Sequence, residues 1–402
     1  MNKRLSRRAV FQGIFAAPFA AGLVRAQTPS ELRTVSRIIE VNGRAAKVFG
    51  IVNGAGGHGL SLVLGERFRA RVTNGLEVET LLHWHGLNPP SAQDGVPMLS
   101  QAPLKPGESF DYDFVNTRSG THWMHSHVGL QEQQLLAAPL IVRETAEPLF
   151  DEQEHVVLLH DFSFREPAEI LAELRSGGGG HAGHAMSGAE MAMPGMLNDI
   201  TYDAYLANDR TLADPEVVRV GKATQIRLRI INGAAASNMW IDLGALQGEL
   251  IAVDGNAVYP LKGSLFPLAI AQRADIRVKL PEGSGAWPIL FRPEGTAART
   301  GIYLATQGAE ITRLSTAGEM TPAVDVTQEM KLRSVADLPP EPVTRTEILA
   351  LTGGGGDYLW GLNGKSSMHD TIFTVRENER IEVVMLNQTG MAHPMHLHGF
   401  YY

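Results

Sequence analysis

No cysteine occurs anywhere in the 402 residues. Disulfides are therefore excluded, and a chain of this size must hold together by its apolar core. Long hydrophobic runs are scarce as well. One begins at Ala9, but Gly13, Pro18 and Gly22 interrupt it, and it falls short of the ~20 residues that cross a bilayer, which excludes a stable membrane anchor there. Acidic residues are missing from residues 1–26, which carry Lys3, Arg4, Arg7, Arg8 and Arg25 and end in the small-residue exit Val24-Arg25-Ala26. That pattern is a signal peptide, and Ser6-Arg7-Arg8-Ala9-Val10-Phe11 adds the feature read by the twin-arginine export machinery, so the expected location is the periplasm. Without those five cations 30 basic side chains face 43 acidic ones, a net charge of −13 against −8 for the whole chain. Such a balance excludes a nucleic-acid partner.

Sustained helical periodicity is also rare, and residues 166–175 (EPAEILAELR) carry the best of it. Short β-type runs broken by Gly, Pro and Asn fill the rest, as in Leu81-Leu82-His83-Trp84-His85 and Ala274-Asp275-Ile276-Arg277-Val278. One such run recurs. Residues 65–74 (GERFRARVTN), 221–232 (GKATQIRLRIIN) and 378–387 (NERIEVVMLN) each alternate and stop at an asparagine, and Asn74, Asn232 and Asn387 lie 158 and 155 residues apart. The expected fold is all-β: three tandem β-sandwich or barrel domains. Their expected limits are 27–146, 147–317 and 346–402, with a proline-rich linker at 318–345.

Aligned on the asparagines, the copies carry matched histidines. His83 opens His-Trp-His-Gly nine residues past Asn74, and His396 opens His-Leu-His-Gly nine residues past Asn387. The middle copy has Ile241-Asp242-Leu243-Gly244 at the same offset. A strand puts residues i and i+2 on one face, so His-x-His sets two imidazoles side by side for a metal. A further pair, His125-Ser126-His127, follows in the first domain, and its expected apolar echo is Ile289 and Phe291 behind Trp287, as the pair follows Trp123. Ligands confined to the outer copies point to a site where the first and third domains face each other. His58, His122, His155, His160 and His369 lack this frame.

These stretches, LHWHG at 82–86, GTHWMHSH at 120–127 and HPMHLHG at 393–399, closely resemble the multicopper oxidases, in particular the bacterial three-domain, copper-resistance and laccase-like branch. In that family a type 1 copper takes electrons singly from a donor and passes them to a cluster of one type 2 and two type 3 coppers, where dioxygen becomes water. The resemblance implies that the three β-sandwich or barrel domains are cupredoxin-like, with type 2 ligands at His83 and His396, one type 3 pair at His85 and His125, the other at His127 and His398, and a type 1 ligand at His393. It also implies a proton-handling carboxylate at Asp94 and, as partners, dioxygen with Cu(I) or a small phenolic donor.

The family's fourth motif, His-Cys-His, has no counterpart here. The 42-residue spacing between the paired motifs of the first domain places it near position 438, beyond Tyr402. The expectation is a C-terminally truncated chain whose third domain is incomplete, with a poorly stable third domain and no coupled turnover. A copper-binding or copper-buffering protein without turnover is the alternative reading. Residues 177–196 (GGGGHAGHAMSGAEMAMPGM) are a low-complexity stretch in which His181, His184, Met186, Met191, Met193 and Met196 are candidate Cu(I)-capture ligands, because thioether sulfur is soft.

Overall fold

A computed structural model describes residues 28–144, 152–176, 197–336, 341–354, 358–367 and 370–400. The export segment, the Met/His stretch 177–196 and His369 lie outside the described residues.

The first domain pairs two four-stranded sheets. One is built from β1 (Ser30–Val41), β2 (Arg44–Asn53), β4 (Arg67–Asn74) and β6 (Ser109–Val115), in the order β2-β1-β4-β6, after β3 (Leu60–Val63) has crossed to the other side. The second joins β3 to β8 (Ala137–Arg143), β7 (Gly120–Ser126) and β5 (Leu82–His85). Alternation along β4 sends Phe68, Ala70 and Val72 inward, where they meet Trp84 and Tyr112. Phe68 stacks on Phe114 at 4.4 Å and meets Trp84 edge-on at 4.7 Å.

The middle domain repeats this plan with larger sheets. β9 (Glu152–Phe162) runs parallel to β12 (Gln225–Asn232), as β1 does to β4. β10 (Ala204–Ala207) pairs with β9, β11 (Glu216–Arg219) with β19 (Thr300–Ala305), and β17 (Arg273–Lys279) with β12. β13 (Met239–Asp242) lies between β16 (Leu265–Leu268) and β18 (Ala286–Pro293), while β14 (Gly248–Val253) and β15 (Asn256–Gly263) extend the first sheet. The α1 helix (Pro167–Arg175) falls on the stretch of helical periodicity, opened by a proline whose missing N–H costs nothing in a first turn. No helix among the described residues is long and apolar enough to cross a membrane.

The middle domain departs from one expectation. Spacing aligned Ile289 with His125, but the strands pair Ile241 with Phe291, whereas β5 pairs His83 with His125. Phe291 therefore holds the place of His125. The connection from β13 to β18 contains β14 to β17, so its length no longer fixes register, and sheet pairing decides instead.

The third domain contributes β20 (Arg345–Gly354), β21 (Leu359–Leu362) and β22 (Ile381–Asn387), ordered β21-β20-β22. β20 runs parallel to β22, the counterpart of β1 and β4. Among the described residues from 341 on, the buried apolar side chains are Leu349 and Leu351, while Met385, Leu386 and Phe400 remain exposed. Residues 316–335 lie against the middle domain: Arg299 N donates to Thr316 O, Gly295 N to Thr321 O and Val335 N to Ala257 O.

Each repeat asparagine does the same local work. Asn74 accepts from Leu76 N and donates to Val78 O and Leu104 O. Asn232 accepts from Ala234 N and donates to Ser237 O and Leu268 O, and Asn387 accepts from Thr389 N and donates to Met391 O. A short amide that bonds its own downstream backbone ends the strand and fixes the loop that follows, which leads to the first histidine pair in each outer domain.

Candidate metal centre

β5 is buried on both faces. Leu82 and Trp84 turn into the core of the first domain, and His83 and His85 turn out toward the third. Antiparallel pairing sets His83 directly across from His125. The segment 396–398 carries no strand, yet it lies over this face: His396 Nε2 is 3.4 Å from His83 Nε2, and its ring stacks on His85 with centroids 3.9 Å apart. The His398 ring lies 4.1 Å from that of His83 and 5.2 Å from that of His127. His85 Nδ1 and His125 Nε2 face each other at 3.4 Å.

Six histidines and Asp94 fall into three groups whose ligand atoms lie within 4.8 Å of one another: His83, His125 and His127; His83, His85 and His396; His83, Asp94 and His398. His393 stands outside them, its Nε2 2.6 Å from Thr389 Oγ1 and its ring against Trp360.

Asp94 reaches the cluster because Gly95 follows it. Gly95 has φ +76°, and a side chain there would run into the carbonyl of Leu82. The loop closes onto β5, so that Asp94 O accepts from His83 Nδ1 at 2.7 Å, Oδ1 lies 3.2 Å from the same nitrogen, and Oδ2 accepts from His398 Nδ1 at 2.8 Å. Burial alone would raise the Asp94 pKa, but the hydrogen bonds from His398 and His83 outweigh it and hold the carboxyl well below its usual range. Burial pushes His83 down to about 4 and His85 well below the ordinary imidazole value. At neutral pH an ionised Asp94 carboxylate thus lies against the neutral ring of His83.

These protonation states bear on metal binding. His83 and His398 each commit Nδ1–H to Asp94, which leaves both Nε2 lone pairs free to ligate. Lone pairs gathered from six imidazoles form a donor set that suits copper among the late transition metals, so the residues present fit that ion.

Two neighbours went unseen in the sequence. Glu132 Oε2 lies 3.3 Å from His125 Nδ1 on the side of the ring away from His85. Arg273 of the middle domain, held by Asp254 at 3.0 Å and donating to Thr121 O, walls a cavity of about 240 Å³ that opens onto His83, His85 and His396. No spacing rule could have found either one, because each arrives from a loop or a domain with no histidine motif.

Comparison with known proteins agrees with this geometry. Family models described as multicopper oxidase match residues 34–147, 154–315 and 338–402. Multicopper oxidase MmcO of Mycobacterium tuberculosis is 29% identical over 84% of this chain and 68% of its own length. Copper resistance protein A of Escherichia coli is 29% identical over 85% of this chain and 56% of its own, so the chain spans little more than half of that relative. A multi-copper oxidase structure from Pseudomonas thermotolerans shares the fold, with a TM-score of 0.67 at 23% identity over 92% of this chain and 83% of that one. On these matches the chain belongs to the multicopper oxidase family.

Proposed function

We propose that this chain is the polypeptide of a copper-dependent oxidase that couples one-electron oxidation of Cu(I) or phenol-like donors to the reduction of dioxygen to water. The observation that carries the proposal is the meeting of six imidazoles, four from the first domain and two from the third, in one cluster. Bound copper supplies one-electron chemistry: four donors are oxidised by one electron each, and one dioxygen takes four electrons and four protons to give two waters.

The chain's own residues do the rest. His83 and His396 form one ligand pair, His85 and His125 a second, and His127 and His398 a third, in line with their contacts. His393 is the type 1 ligand contributed by these residues. Asp94, ionised and bonded to rings of both domains, orients them and holds the protons that reduced oxygen needs. The cavity beside His83 and His396 gives small molecules a way in. A blue-copper site needs a thiolate, and none of the 402 residues supplies one, so donor oxidation requires the His-Cys-His segment in addition.

Export by the twin-arginine route to the periplasm, and Cu(I) capture by the Met/His stretch 177–196, belong to the same proposal. Copper analysis and oxygen uptake test it. The chain should bind copper that His83→Ala together with His396→Ala removes, and linking a His-Cys-His segment to the chain should produce oxygen uptake with a phenolic donor. Copper content that is indifferent to those histidines contradicts it.

A further inference from the structure

Loop residues 128–136 are pinned from within by Gln131, which is buried. Its Oε1 accepts from Thr80 Oγ1 at 2.7 Å and Ser126 Oγ at 2.8 Å, and its Nε2 donates to Glu79 O at 2.7 Å. The turn closes with Leu135 N donating to Glu132 O at 2.9 Å, Leu135 itself sitting at φ +65°. These bonds leave Glu132 little choice of place. Its Oε2 comes to 3.3 Å from His125 Nδ1, a buried nitrogen that makes no hydrogen bond of good geometry among the described residues and has this carboxylate as its neighbour.

The His125 ring is held too. Trp123 stacks on it with centroids 4.0 Å apart and planes 14° from parallel, which holds the ring where Nδ1 lies 3.3 Å from Glu132 Oε2 and Nε2 lies 3.4 Å from His85 Nδ1. A neutral imidazole in that plane has two tautomers. With the proton on Nδ1 the N–H lies against the carboxylate at 3.3 Å, and the Nε2 lone pair faces the cluster. With the proton on Nε2 it donates to His85 Nδ1, and two nitrogens of the cluster are spent on each other.

We infer that Glu132 is a positioning residue for the metal centre, one that selects the Nδ1–H tautomer of His125 and so turns its Nε2 lone pair toward the shared site. Asp94 does the same for His83 and His398 from the other side, and the cluster is gripped between two carboxylates. A carboxylate behind a ligating imidazole fixes ring orientation and raises its basicity, and losing one lowers metal affinity about 10- to 100-fold. The consequence for copper rests on the function proposed above; the tautomer does not.

The test labels histidine with ¹⁵N in the metal-free full chain at pH 8 and reads the tautomer of His125, assigned by its loss in His125→Asn. Cu(II) affinity is then measured by competition titration. The parent should show Nδ1–H, and Glu132→Ala should move the proton toward Nε2 and weaken Cu(II) binding about 10- to 100-fold at unchanged melting temperature. Should Glu132→Ala fail to fold, Glu132→Leu, which keeps the volume without the acceptor, is read by the same criteria. An unchanged tautomer, or an affinity within about twofold of the parent against that expected loss, overturns the assignment. If the parent binds no Cu(II), the proposed function fails, and the tautomer alone decides the role of Glu132.

Discussion

Asp94 holds histidines from two domains at once, His83 through both its carbonyl and its carboxylate and His398 through Oδ2. Replacing it by alanine should weaken Cu(II) binding about 10- to 100-fold by competition titration, since two ligands then lose their orienting partner. His122 makes a different kind of prediction. It is buried, with Nε2–H donating to Ser119 O, and burial first, then the charge of Arg273, pushes its pKa down to about 3. The unfolded chain takes up that proton near pH 6.5. Below that pH the unfolded state therefore binds more protons than the folded one, so stability present above 6.5 is lost as pH falls toward about 3. His160, buried and also lowered, acts in the same sense. The urea midpoint of the metal-free chain should fall between pH 7 and 5, and His122→Gln should flatten that fall. At this scale the sequence showed the paired histidines through their spacing, while Asp94 came only from the family resemblance. Glu132 stayed hidden because its place depends on how Gln131 is bonded, which no local pattern encodes.

The strands that end in Asn74, Asn232 and Asn387 are the elements the sequence made most legible. Alternation and a terminal turn residue are local signals, and in the fold the amides bond their loops alike. Burial separates the three in cost. Asn74 and Asn232 are buried and Asn387 is exposed. Alanine at Asn74 leaves buried groups unsatisfied, at about 1–3 kcal/mol each, whereas alanine at Asn387 should cost about 1 kcal/mol or less. Urea unfolding read on tryptophan fluorescence should show a clear loss of midpoint for Asn74→Ala and almost none for Asn387→Ala. What alternation could not supply was register across a long connection: Phe291 lies opposite Ile241, two residues from the place that spacing assigned. Nor could it show that the segment 396–398, which matches β5 in sequence, lies on the cluster without forming a strand.

Three similar domains in a row could have been strung out as beads; the histidines point to the first and third facing each other, but the sequence does not say what holds the middle one against them. The fold answers with buried charge. Arg229 of the middle domain, fully buried, bonds Asp275 at 3.0 Å, Glu154 at 3.0 Å and Thr121 of the first domain at 3.1 Å, and Thr121 in turn donates to Asp275. Removing one member of such a network strands the others, so Arg229→Leu should lower stability by about 3–5 kcal/mol in calorimetry. That lock fixes the middle domain against β7, and Arg273 of the same domain walls the cavity beside the cluster. A domain without ligands thereby holds the ligand-bearing face of the first domain in place for the third. The measurement that bears most directly on this account is an anomalous difference map at the copper absorption edge from a copper-soaked crystal of the chain. Density is predicted between β5, β7 and the segment 396–398, within bonding reach of imidazoles from both outer domains. Copper bound elsewhere, or held by one domain alone, would contradict the claim that the two domains build a single centre.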